Sequence, residues 1–184
     1  MDVLQRFAQG DIDAFETLVR QFQAEIYGWI VRIVRDPGTA EDLTVETLWR
    51  IYRARKQFRP DGNFPAWARR IATNIALDHL KRRRPDESLL QEPTARPTPD
   101  QVIQRETQQK IQQAFRRLPA KLQVAATLAL IEEQPYNEIA EALGTSVGAV
   151  KLRVFRAVRF LRKQLIHLGI KPEPAIRPKS EAIK

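Results

Sequence analysis

Between Asp11 and Arg35 the apolar residues Phe15, Leu18, Val19, Phe22, Ile26, Ile30, Ile33 and Val34 return every three or four positions, the period of one helix face. The spacing predicts a long amphipathic helix. Asp36-Pro37-Gly38 interrupts it, and Thr39-x-x-Asp42 then has the spacing of a capping box, with Asp where Glu or Gln is usual. A second helix is expected to run to about Lys56 and to turn Leu43, Leu48, Ile51 and Tyr52 inward. It stops before Arg59-Pro60-Asp61-Gly62, a run of turn formers. Asn63 is placed to cap a third helix, which carries Pro65 in its first turn, where a missing N–H costs no hydrogen bond. Ala68, Ile71, Ala72, Ile75 and Ala76 line one face of that helix, and it runs out in Lys81-Arg82-Arg83-Arg84.

From Pro85 to Asp100 the periodicity ceases, and Pro85, Pro93, Pro97 and Pro99 stand among Glu, Gln, Ser and Thr, the composition of an extended, flexible linker. Helical spacing resumes at Val102 and continues through Ile111, Ala114, Phe115 and Leu118, then from Leu122 to about Glu132 beyond Pro119, with two shorter elements after that. The stretch from Gly169, with Pro172, Pro174 and Pro178, holds too few apolar residues to pack and reads as a disordered tail. Strand signals are almost lacking. The expected fold is all-α: two small helical domains, 1–84 and 101–167, joined by a linker over 85–100 and followed by a tail over 168–184.

A chain of 184 residues with 43% hydrophobic residues can furnish a core for each of two such domains. Its 31 Lys and Arg outnumber 22 Asp and Glu, and the formal net charge of +9 attracts polyanions. No apolar run approaches the about 18 residues of a spanning helix, and no charged-then-apolar leader follows Met1, so membrane insertion is not expected and the cytoplasm is the expected compartment. Cysteine is absent and the two histidines, His79 and His167, lie far apart, which argues against disulfides, a zinc site or hydrolytic chemistry. No cofactor, metal or catalytic residue is expected.

The segment Tyr136 to Val150 has the layout of a helix-turn-helix. Ala140 is small enough for two helices to approach, Gly144 suits a positive φ in the turn, and Ser146 can cap the second helix. Ile139, Leu143 and Val150 would fill the angle between the helices. Val150, Val154, Ala157, Val158, Leu161 and Leu165 then form one seam, and Lys151, Leu152, Phe155, Arg156 and Arg159 fall on another face. Lys151, Arg153, Arg156, Arg159, Arg162 and Lys163 are uninterrupted by any acid, so the helix cannot neutralise itself and suits phosphate. Leu152 and Phe155 are either core or apolar readers of base edges in a major groove.

In order and spacing, these features resemble the extracytoplasmic-function sigma factors of bacterial RNA polymerase over nearly the whole chain. The resemblance rests on Gly10-Asp11-x-x-Ala14-Phe15, Ala40-Glu41-Asp42-Leu43-Thr44-x-Glu46 and Trp67-x-x-Arg70-Ile71-Ala72-x-Asn74-x-x-x-Asp78-x-x-Lys81-Arg82 in the first domain. In the second it rests on Leu118-Pro119, Tyr136-x-Glu138-Ile139-Ala140 and Gly148-x-Val150-Lys151-x-Arg153-x-x-Arg156-Ala157.

The resemblance implies a promoter-specificity subunit that binds core RNA polymerase, through its largest and second-largest subunits, and promotes initiation without chemistry of its own. It implies that Glu41, Asp42, Leu43, Glu46 and Arg50 bind the polymerase. Asp42, Glu46 and Arg50 also fall at i, i+4 and i+8 on one helical stripe, which suits a charged partner helix or an internal salt bridge. It implies a minus-ten DNA site at Phe58, Asp61, Asn63, Asn74, Asp78, Lys81 and Arg82, with the loop from Phe58 to Asn63 taking an extruded base. A minus-thirty-five DNA site is implied at Ser146, Gly148, Lys151, Leu152, Arg153, Phe155, Arg156 and Arg159. An anti-sigma factor is a further partner by the same analogy. Trp67 is assigned to the core rather than to base stacking. Val45 stands where the family usually has Gln and Leu48 where an aromatic is common, both in the polymerase-binding helix, so the detail of that contact is expected to differ; Ala149 and Leu152 stand where Thr and Ser are usual, so the minus-thirty-five sequence read here is expected to differ from the common one. The competing reading is a stand-alone helix-turn-helix regulator. An enzyme acting on nucleic acid would need a carboxylate cluster or an activated nucleophile, which the sequence lacks.

Overall fold

The computed structural model describes residues 2–82 and 99–170, with side chains from 105 onward in the second stretch. The first half has four α-helices: α1 (Val3–Ala8), α2 (Ile12–Val34), α3 (Pro37–Arg53) and α4 (Phe64–Arg82), with a 3₁₀ turn at Arg55–Gln57. The second has α5 (Pro99–Arg116), α6 (Ala120–Ala126) continuing as a π-helical turn over Thr127–Ile131, α7 (Tyr136–Ala142) and α8 (Val147–His167). All the regular structure among the described residues is helical. The linker expected over 85–100 lies outside them except for its last two positions, which open α5. The expected tail lies outside them from residue 171.

Local chemistry explains each helix start. Asp11 precedes α2 and accepts the Ala14 amide at 3.1 Å, while Arg6 donates to its other oxygen at 2.8 Å. The Arg6 hydrogen bond, then the amide, hold the Asp11 carboxyl below its usual range. Gly10 makes the turn between α1 and α2 at φ +96°, and a Cβ there would meet Arg55 Nε at 3.2 Å. The Gly10-Asp11 pair is thus a backbone requirement followed by a cap. The second helix begins earlier than its capping-box spacing suggests: Asp36 is the cap, accepting the Thr39 amide at 2.8 Å, and Pro37 occupies the first turn, where its fixed φ is already helical. Asn63 accepts the Ala66 amide at 3.1 Å, as expected.

The helix faces pack as the periodicity dictates, with additions it hides. Ile26, Ile30 and Ile33 of α2, Leu43 and Ile51 of α3, and Ala68, Ala72, Ile75 and Ala76 of α4 are buried, whereas Leu48, Tyr52 and Ile71 are only partly so. Thr44 and Thr47 are buried as well, because their hydroxyls donate to the carbonyls of Ala40 and Leu43 one turn back. Trp29 donates its indole N–H to Thr73 Oγ1 at 2.9 Å in the interior, and Thr73 in turn donates to the Arg69 carbonyl. Phe7 on α1, a helix too short to register as a period, is fully buried among the rings of Phe15, Phe58, Phe64 and Trp67.

The interior is not split cleanly in two. Val124, Ala125, Leu128, Ile139, Ala140, Ala142, Val150 and Val154 belong to the same contiguous apolar cluster as the first half. A smaller cluster of Ala114, Leu118, Ala126, Ala157 and Leu161 is private to the second half. α4 packs against α6 and α7, so one helix serves both halves. Replacing Thr73 with Val keeps the shape but removes the acceptor for the buried Trp29 N–H. Thr73→Val should lower unfolding free energy by about 1–3 kcal/mol in denaturant titration, and Thr73→Ser should largely retain it.

Candidate nucleic-acid interface

Three surfaces carry the expected residues. On α8, Ser146 accepts the Ala149 amide at 3.2 Å and sets the helix start, and Gly144 holds the preceding turn at φ +57°. Val150, Val154, Ala157 and Leu161 are buried, which forces the opposite face outward. Lys151, Leu152, Phe155, Arg156 and Arg159 all lie exposed on it, with Arg153 half-buried beside them. Leu152 is 47% and Phe155 59% exposed, so neither is core. The Arg159 guanidinium sits 5.9 Å from the Phe155 ring centre, a cation spread over an aromatic face. Among the described residues no carboxylate pairs with Lys151, Arg153, Arg156, Arg159, Arg162 or Lys163. The helix runs from Val147 to His167, as the seam to Leu165 led one to expect, and presents unneutralised charge along its length.

The second surface is the loop before α4 and the outer face of that helix. Asp61, Asn63, Asn74, Lys81 and Arg82 are exposed, and Asp78 is half-buried. Phe58 departs from the expectation: at 6% exposure its ring packs against Phe7, Phe64 and Trp67, so it anchors the loop and leaves Arg59 to Asn63 as the presented part. Trp67 lies in the same cluster, consistent with a core role. Lys81 donates to Asp78 at 2.8 Å and Arg82 to the Asp78 carbonyl at 3.2 Å. That Lys81 hydrogen bond, helped by the charges of Arg50 and Arg82, holds the Asp78 carboxyl below its ordinary range and so keeps it ionised.

The third surface is the outer face of α3. Glu41, Asp42 and Arg50 are exposed and Glu46 half-buried, but Leu43 is core. Arg50 donates to Glu46 at 2.6 Å, so that pair of the stripe is satisfied internally while Glu41 and Asp42 remain outward. Val45 and Trp49, 70% and 58% exposed, extend the face one and two turns onward. Sequence reading noted Val45 only as a departure and missed Trp49. The available signal was phase, since Trp49 falls opposite the inward set Leu43, Thr47 and Ile51.

Two family models match the chain, sigma-70 region 2 over residues 18–85 and sigma-70 region 4 over 108–161. The RNA polymerase sigma-H factor of Pseudomonas aeruginosa is 34% identical over 89% of this chain and 92% of its own length. The ECF RNA polymerase sigma factor SigW of Bacillus subtilis is 31% identical over 88% of this chain and 94% of its own. The chain belongs to the extracytoplasmic-function sigma factors.

The fold of this sigma factor is shared with CnrH, solved in complex with the cytosolic domain of CnrY, at 23% identity and a TM-score of 0.58 over 90% of this chain and 96% of that one. It is shared also with the sigma factor RpoE of Bartonella quintana, solved with the anti-sigma factor NepR, at 21% identity and a TM-score of 0.50 over 83% and 96% of the two chains. Within region 4, α8 starts on the Ser146 hydroxyl, which accepts the Ala149 amide. Ser146→Ala should cost about 1 kcal/mol of stability in thermal or denaturant unfolding, and Ser146→Asp should recover most of it.

Proposed function

We propose that this sigma factor docks on core RNA polymerase through the outer face of α3 and reads promoter DNA with α4 and α8. As a promoter-specificity subunit it directs initiation in the cytoplasm and performs no chemistry of its own. The observation that carries the DNA reading is the exposed face of α8, where Leu152 and Phe155 stand among cations that no described acid neutralises. Phosphates would neutralise those cations and release counterions, and the two apolar side chains would meet thymine methyls and base edges of the minus-thirty-five element.

For the minus-ten element, the loop from Arg59 to Asn63 is hung on the buried Phe58 ring, and Asn63 spends its carbonyl oxygen on the Ala66 amide. That leaves its NH₂ as the outward donor, beside Asp61. Asn74, Lys81 and Arg82 continue the track along α4 for a melted strand. On α3, Glu41 and Asp42 supply unpaired charge, and Val45 with Trp49 supplies the apolar anchor that charged faces alone lack. A fitting occupant is a basic helix with an apolar stripe, such as the clamp coiled coil of the largest polymerase subunit. The residue where the family usually has a glutamine amide is here Val45, which shifts this contact from hydrogen bonding toward burial. An anti-sigma factor is a further partner class, as is recorded for the Bartonella relative.

Run-off transcription with host core polymerase over a pool of genomic promoters tests the reading directly. Added protein should yield transcripts that start downstream of one shared pair of elements. Lys151→Ala and Arg156→Ala should weaken promoter binding by the holoenzyme and each reduce the slope of log affinity against log salt by about 1, with polymerase association intact. Asp42→Ala with Trp49→Ala should lower polymerase affinity at least tenfold and leave α8 contacts untouched. Equal effects of both pairs in both assays would sink the assignment. Absence of any complex with core, together with tight duplex binding by the protein alone, would replace it with a stand-alone regulator.

A further inference from the structure

The loop between Phe58 and Phe64 is supported by a helix that lies outside the sigma-70 region 2 match. That match begins at residue 18, so α1, Gly10 and Asp11 all precede it. Phe7 of α1 is fully buried, and its ring centre stands 6.1 Å from that of Phe58 and 5.8 Å from that of Phe64, the residues on either side of the loop. Those two rings meet each other edge to face at 5.6 Å. Both ends of the loop therefore rest on one side chain of α1. Arg59 to Asn63 are all exposed, and the Gly62 amide donates to the Arg59 carbonyl at 2.8 Å to close the turn. The loop has no core contact of its own between its two aromatic ends, so where it stands depends on where those ends are held.

The approach to the loop is tied to α1 a second time. The Phe58 amide donates to the Arg55 carbonyl at 3.1 Å, so the 3₁₀ turn Arg55–Gln57 leads directly into the loop. The Arg55 side chain folds back: its guanidinium lies 4.3 Å from the Tyr52 ring centre and donates to the Tyr52 carbonyl at 2.9 Å. Its Nε is buried with no hydrogen-bond partner, a costly arrangement that packing has to hold in place. The packing partner is Gly10, since Nε sits 3.2 Å from where a Cβ on that residue would stand. Gly10 is fixed in turn by its amide, which donates to the Phe7 carbonyl at 2.9 Å, and by the Arg6 to Asp11 bond that follows it. Phe7, Gly10 and Arg55 thus form one unit beneath the loop.

We propose that Phe7, Gly10 and Arg55 are positioning residues for minus-ten recognition: they set where the Arg59 to Asn63 loop stands, and so how sharply it discriminates the base it takes. The proposal rests on that loop being a reader of the minus-ten element. A base is told from its competitors by hydrogen bonds, which weaken steeply away from their best distance and angle. A site carried on a loop keeps that geometry only when the side chains behind it are locked. Asn63 is locked at one atom, its carbonyl oxygen being held by the Ala66 amide, and the rest of the loop takes its position from the Phe7 ring and the Arg55 turn. Loosening that support leaves the cations of α4 and α8 free to meet phosphate. Promoter affinity should therefore fall less than the ratio between right and wrong bases, the reverse of what losing a phosphate contact does.

Run-off transcription by holoenzyme assembled from the full chain and host core polymerase provides the test, on promoters substituted at each minus-ten and minus-thirty-five position in turn. Phe7→Leu, Gly10→Ala and Arg55→Lys should each lower the preferred-to-substituted ratio by about fivefold or more at the base the loop takes, with the minus-thirty-five ratios unchanged. Gly10→Ala combined with Arg55→Lys should lose less than the product of the two single losses, because the guanidinium that a Cβ would strike is gone. Thr73→Val weakens the same domain away from the loop and should lower the amount of active protein while leaving every ratio as it was. Arg55→Lys keeps the charge and disturbs no buried apolar contact, so it decides the matter even if Phe7→Leu does not fold. Ratios that stay at the unmutated value in the variants that fold, or that fall equally at all promoter positions, overturn the positioning role. Asp61→Ala and Asn63→Ala check the reading beneath it. If these leave the minus-ten ratios unchanged, the loop is not a reader, and the minus-ten site and its positioning fall together. If they lower the ratios and the α1 and Arg55 variants do not, the positioning role alone falls.

Discussion

Helix α4 has to be narrow for the rest of the molecule to close around it. Ala68, Ala72 and Ala76 give it a surface of methyl groups, so α2 and α3 approach from one side while α6 and α7 approach from another. A larger residue at any of these buried sites would push a neighbour away, since interiors at close packing have no room to absorb added methylenes. The side chains that keep α4 in place are correspondingly few and specific: the Trp29 indole bonded to Thr73, and Arg69 lying 5.3 Å from the Trp29 ring while it holds Glu25. The same helix then presents Asn74, Lys81 and Arg82 on its outer side. Packing on two faces thus fixes the orientation of the third.

Charge is handled differently in the two halves. In region 2 the charged residues of α3 and α4 are partly self-neutralised, Glu46 with Arg50 and Asp78 with Lys81. Exposed pairs of this kind contribute little to stability, but they mute the local field, so binding there has to draw on shape, apolar contact and the few unpaired groups. On α8 no such muting occurs, and the field of six cations extends from one helix. Under the proposed function, long-range attraction to DNA falls mainly to region 4 and close discrimination of a melted strand to region 2. That division follows from which charges find partners within the chain.

Much of this was legible in the sequence because the deciding interactions are local. Gly144 with positive φ, Ser146 as cap, and the buried seam Val150, Val154, Ala157 and Leu161 all follow from spacing within a few residues. The exposure of Leu152 and Phe155 then follows from that seam. What was not legible depends on partners far along the chain or on groups whose polarity misleads. Phe58 looked available at a loop and is instead claimed by Phe7, on a helix of six residues with no period to detect. Thr44, Thr47 and Thr73 read as polar, yet each donates to a carbonyl one turn back and can be buried. Thr39 had cap spacing, but Asp36 won because an acid followed by proline satisfies both the first amides and the first φ.

The joining of the halves was the least legible feature, and its physics explains why. Glu132 and Arg35 are 97 residues apart, and nothing in the local pattern distinguishes them from solvated surface charge. Only when the π turn shifts Glu132 by one residue does its carboxylate fall between two arginines of α2. An ordinary α-helical continuation would hold the Glu132 amide to Leu128 rather than Thr127 and rotate the side chain by the better part of a quarter turn, roughly 100° per residue. The arginines would then face water, and of the ion pairs that join the two regions Arg69 with Glu138 would remain beside the apolar packing. A single inserted residue in one helix therefore decides whether α2 contributes ion pairs to the packing of the two regions.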